Sequence, residues 1–79
     1  MMREVKVSLE TIEKVREFVN ITTRVNRDLD LVSGRYMIDA KSILGIFTMD
    51  LSKPLVLQIH AEKSEAEEIL EELKGYVVG

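Results

Sequence analysis

The sequence predicts an α+β open-faced β-sandwich formed by residues 1–79 as one domain, with a four-stranded, largely antiparallel sheet and helices on one face. Three observations lead there. Three stretches read as half-buried strands by their alternation, and a fourth short one returns across a Gly-containing turn as the second arm of a hairpin. Two longer stretches repeat apolar residues at helical spacing, and a short apolar run lies between the third and fourth strands. Interleaved in the order β-α-β-β-α-β-α, these elements can cover one face of a sheet and leave the other open.

The first strand is Glu4 to Ser8, with Val5 and Val7 on one side and Lys6 on the other. Ser8 then offers an N-cap, and Ile12, Val15, Phe18, Val19 and Thr22 recur at helical spacing. Glu13, Lys14, Arg16, Glu17 and Asn20 face outward, and Glu10 and Lys14 form an i,i+4 pair in the favourable order. Asp28 to Val32 alternates again, Ser33-Gly34 turns the chain, and Tyr36 to Asp39 returns as the other half of a hairpin. Leu55 to His60 is the strongest strand, with Leu55, Leu57 and Ile59 toward the core. Ser64-Glu65-Ala66-Glu67 reads as a capping box that opens a helix with Ala66, Ile69, Leu70 and Leu73 inward. Gly75 then stands at its C′ position, with Tyr76 and Val77 folding back.

The segment that organises the chain runs from Asp39 to Leu51. Ile43, Leu44, Ile46 and Phe47 spread apolar groups over more than one face of a short helix, so part of the run needs a partner or stays exposed. We expect Ile46 in the core, with Ile43, Leu44 and Phe47 at least partly exposed as a protein-binding patch. Ser42 stands at the N-cap position, where free N–H groups and the helix dipole also favour a phosphate. Pro54 stops the helix from running on.

Composition narrows the function. There is no cysteine, which removes thiol nucleophiles and zinc thiolates, and a formal net charge of −3 argues against nucleic acid as partner. No apolar run is long enough to span a bilayer. Glu62, Glu65, Glu67, Glu68, Glu71 and Glu72 crowd the last helix and read as a solvated face. The one histidine, His60, falls off the core face without an evident partner. No catalytic triad spacing, phosphate loop, metal cluster or cofactor motif is present. These features describe a protein that binds other proteins and needs no cofactor, not an enzyme.

Ala40-Lys41-Ser42-Ile43-Leu44-Gly45-Ile46, with the element order, resembles the histidine-containing phosphocarrier (HPr) family of the bacterial sugar phosphotransferase system. The resemblance covers nearly the whole chain. It implies a cytoplasmic protein that docks on phosphotransferase-system or regulatory proteins through its first and short helices. It also implies that Ser42 is the target of an ATP-dependent serine kinase. The family's catalytic run, Gly-Leu-His-Ala-Arg-Pro-Ala, should fall just before the first helix. Here that place reads Leu9-Glu10-Thr11-Ile12-Glu13-Lys14-Val15. Thr11 stands for the phosphate-accepting histidine, Glu13 for the assisting arginine and Lys14 for the proline. A hydroxyl without an adjacent base is a weak nucleophile, and a carboxylate repels an incoming phosphoryl group. The expectation is therefore a regulatory or adaptor protein that binds through Ile43, Leu44 and Phe47, with Ser42 as a switch. The alternatives are a structural or self-associating module without phosphorylation, and a residual phosphocarrier using Thr11 or His60.

Overall fold

A computed structural model describes residues 1–79. Strands β1 (Met2–Val7), β2 (Asp28–Ser33), β3 (Tyr36–Asp39), β4 (Leu55–His60) and β5 (Val77–Val78) form one sheet in the order β3-β2-β4-β1-β5. Every neighbouring pair is antiparallel. Helices α1 (Ile12–Thr22), α2 (Ile43–Ile46) and α3 (Lys63–Leu73) complete the fold. The expected order is present, but the sheet has five strands rather than four. The additional strand forms because Lys6 and Val7 pair with Val78 and Val77, and the Ser8 N–H donates to the Tyr76 carbonyl at 2.8 Å. A two-residue strand has no alternation long enough to mark it; only the free edge of β1 creates it.

Strand alternation sets the core. Leu55, Leu57 and Ile59 of the central β4 are buried, flanked in register by Val7 of β1 and by Leu31 and Leu29 of β2. Val15 and Phe18 of α1 and Ala66, Ile69 and Leu73 of α3 cover them. The opposite pleats carry Glu4, Lys6, Asp28, Asp30, Gln58 and His60 beside Val32 and Val56, so that face is open and mostly polar. Between β2 and β3 the Gly34-Arg35 turn has Gly34 at φ +59° followed by a negative φ, the arrangement of a type II′ hairpin.

Several local expectations change. Thr11, not Ser8, caps α1: its extended backbone lets the hydroxyl accept from the Lys14 N–H at 3.1 Å. Ser8 instead donates to the Glu10 carboxylate at 3.1 Å. Glu10 therefore precedes the helix and makes no ion pair with Lys14. Ile12, in the first turn, is 65% exposed rather than inward. The Ser64 capping box is absent, because α3 begins two residues earlier, at Lys63, and Glu62 occupies the cap without a side-chain bond. Gly75 keeps a negative φ; the chain leaves α3 through tight bonds from Tyr76 N–H to the Leu73 carbonyl and from Val77 N–H to the Lys74 carbonyl.

One buried polar side chain ties α1 to the turn after β3. The Thr22 hydroxyl donates to the Ala40 carbonyl at 2.8 Å, with the Val19 carbonyl farther at 3.3 Å. Thr22→Val preserves shape but strips the buried carbonyl of its donor. Urea titration should show a loss of about 1–3 kcal/mol, whereas Thr22→Ser should retain the bond. Gly45 in α2 has a second constraint, since a Cβ there would lie 2.6 Å from Ile38 Cγ2. Gly45→Ala should destabilise the protein despite the better helix propensity of alanine, and the thermal midpoint should fall.

A further prediction concerns Tyr76, whose ring meets Phe18 edge-on at 5.6 Å and whose hydroxyl donates to Glu17 at 3.3 Å. Burial pushes its phenol above the usual value, aided by the charge of Glu17 and by that hydrogen bond. The folded state thus holds the proton more tightly than the unfolded state. The associated stability is complete below the unfolded value of about 10 and is lost as pH rises through the folded one. Denaturation followed across alkaline pH should show a drop above about pH 10 that Tyr76→Phe makes shallower.

Candidate functional site

The approach to α2 is fixed before its first residue. Ala40 is buried, with its N–H donated to the Leu29 carbonyl (2.9 Å) and its own carbonyl held by Thr22. Lys41 N–H donates to Asp39 Oδ1 at 2.9 Å, and Lys41 Nζ reaches the Val25 carbonyl at 2.7 Å. Ser42 follows in an extended conformation and its Oγ accepts from the Gly45 N–H at 3.1 Å. The expected N-cap is therefore formed, and its hydroxyl is only half-buried. No acidic residue occupies the first turn of α2.

Only one apolar side chain of α2 goes fully inward. Ile46 is buried, Ile43 is half-buried against the core, Leu44 is 78% exposed and its neighbour Phe47, at the C-cap, is 41% exposed. The apolar run thus divides as its spacing predicts. Met49 is half-buried against the core. Beyond it, the Ser52 hydroxyl (2.6 Å) and N–H (3.1 Å) both donate to Asp50 Oδ1, which holds the Asp50 carboxyl below its usual range.

An open groove separates α2 from α1. Glu13, Arg16, Glu17, Val19, Asn20 and Thr23 line the α1 side and Ile43 the α2 side. Thr11, Glu13 and Lys14 are all exposed at the start of α1. Thr11 already accepts a hydrogen bond as the cap, and no histidine, lysine or carboxylate is bonded to its hydroxyl as a base. The structure therefore brings Glu13 into the groove wall beside Ile43, while Thr11 stays at the helix start.

His60 is elsewhere, on the open face of the sheet. It is not without a partner: Nε2 lies 3.0 Å from Asp30 Oδ2, across the β2–β4 ladder. Sequence reasoning misses this pair because the two residues are 30 positions apart, and only strand register brings them together. The residues given to the solvated glutamate face also include one long-range contact, between Arg27 and Glu65 at 2.8 Å. No cluster of His, Cys, Asp or Glu has the geometry to hold a metal ion, and no helix is long and apolar enough to cross a membrane.

Comparisons with known proteins agree with this architecture. The crystal structure of the phosphocarrier protein HPr from Bacillus anthracis is 28% identical and superposes with a TM-score of 0.67, over 99% of this chain and 96% of that one. HPr-C-His from Thermoanaerobacter tengcongensis, at 20% identity, shares the fold with a TM-score of 0.69, over 95% of this chain and 88% of that one. A search of curated proteins by sequence gave no match. The family described as "PTS HPr component phosphorylation site" matches residues 5–78. Its proteins are phosphocarriers rather than enzymes and interact with proteins of the phosphotransferase system. With the match spanning nearly every residue from β1 to β5, the chain belongs to the HPr family.

Proposed function

We propose that this protein is a regulatory or adaptor member of the HPr family that does not carry phosphate through the usual site. It binds partner proteins through Ile43, Leu44 and Phe47, and phosphorylation of Ser42 switches that binding. The observation that carries this reading is the placement of the half-buried Ser42 hydroxyl at the head of a helix that exposes Leu44 and Phe47. A phosphate there would add nearly two negative charges next to the apolar patch, which changes what the patch can desolvate and bind. The Gly45 N–H and the absence of acidic residues in the first turn of α2 favour that charge.

Thr11 and Glu13 support the second half of the reading. A histidine accepts phosphate because its ring nitrogen is nucleophilic near neutral pH; the Thr11 hydroxyl has no base beside it. Glu13 adds a negative charge where the family's run has an arginine, against the approach of another anion. The partners are phosphotransferase-system or regulatory proteins together with a serine kinase, and the setting is the cytoplasm.

Incubation with ATP and an HPr serine kinase should add one phosphate to the intact mass, and Ser42→Ala should abolish it. A wild-type protein that takes no phosphate would leave Ser42 as a cap alone and favour a module without a switch. In parallel, phosphoenolpyruvate and the first enzyme of the phosphotransferase system should leave the mass unchanged. Phosphate on Thr11 or His60 in that reaction would overturn the non-carrier reading.

A further inference from the structure

The sheet has two edges, and they differ. β5 contributes only two residues, whereas β3 presents four, with Tyr36 72% and Met37 60% exposed. An open edge carries unpaired N–H and C=O groups. Along β3 the even-numbered residues direct theirs toward β2: the Ala40 N–H donates to the Leu29 carbonyl, and Ile38 and Tyr36 follow by alternation opposite Leu31 and Ser33. The N–H and C=O of Met37 and the N–H of Asp39 therefore point off the edge. The Asp39 carbonyl already accepts from the Ser42 N–H at 3.0 Å.

We propose that β3 pairs antiparallel with β3 of a second copy of this chain, about a two-fold axis through Met37. Only odd-numbered residues offer backbone groups, so odd must face odd. The register of greatest overlap sets Met37 against Met37, with Arg35 of each copy opposite Asp39 of the other. Met37 exchanges both N–H···O bonds across the axis, and the Asp39 N–H meets the Arg35 carbonyl on either side. Tyr36 then lies opposite Ile38 on the helix-covered side of the sheet.

Charge selects this register. Arg35 is exposed and makes no ion pair within the chain. Asp39 stands directly across from Asp30 in the β2–β3 ladder, so two carboxylates face each other with no cation bonded to Asp39. The guanidinium of a second copy brings positive charge to that position, and the two-fold repeats the arrangement on the other side of the axis. Sliding the pairing by two residues either way sets Met37 opposite a charged residue and breaks both ion pairs. The edge is short, so the association is weak and concentration-dependent.

Sedimentation equilibrium over rising concentration at low salt should show a monomer–dimer equilibrium that weakens as salt is added. Arg35→Glu, in an exposed turn, should weaken association by about tenfold or more, and the charge exchange R35D/D39R should restore it. Met37→Pro should abolish the dimer, since the lost N–H faces outward and the ladder to β2 is intact; circular dichroism checks that all three variants stay folded. A protein that is monomeric at every concentration overturns the proposal. So does a dimer that neither Arg35→Glu nor Met37→Pro disturbs, which would place self-association on another surface.

Discussion

The hydrogen bond from the Thr22 hydroxyl to the Ala40 carbonyl joins the last turn of α1 to the chain entering α2. It is buried, and Thr22 is the only buried polar side chain. In that setting the bond stabilises less by its own strength than by the cost of leaving the carbonyl unpaired. Because the Ala40 N–H is simultaneously held by Leu29, the chain is fastened on both sides two residues before Ser42. The two walls of the α1–α2 groove therefore have a common anchor. Of the groove residues, Ile43 also packs against the core, whereas Glu13 and Arg16 are exposed.

Much of the fold was legible because one face of the sheet is buried and the other is not. Leu29 and Leu31, and Leu55, Leu57 and Ile59, recur at every second position, so period places β2 and β4 nearly to the residue, and the Gly34 turn places β3 against β2. Where neither period nor turn chemistry marks an element, the sequence is silent. β5 owes its existence to a free neighbour, not to its own two valines. The helix starts were misplaced for a related reason. Ser8, Thr11 and Ser64 all carry hydroxyls suited to capping, but only the backbone decides which one is extended at a helix entrance, and at α3 none of them is.

The candidate site was more readable than its surroundings. Ser42 lies immediately before an apolar run, so its capping role needed only local geometry, and it caps α2 as expected. The division of Ile43, Leu44, Ile46 and Phe47 between inside and outside followed from their spacing. The groove on α1 was not legible as a groove, because its depth depends on how far α2 stands from α1. The His60–Asp30 pair was likewise invisible, since a cross-strand diagonal leaves no mark in sequence spacing.

Four residues are too few for a helix to persist by its own hydrogen bonds. α2 therefore exists as a helix because Ser42 closes its head and Ile46 is pinned in the core. Its first amide bond to a side chain, from Gly45 N–H to Ser42 Oγ, is also the place where a change at the serine must first be felt. Phosphorylation would turn Oγ into an ester oxygen and set the charged phosphate oxygens beside that amide as stronger acceptors, which would deshield its proton. The Gly45 resonance is thus a built-in gauge of the chemical state of Ser42, readable in a single nitrogen-edited spectrum without any partner present.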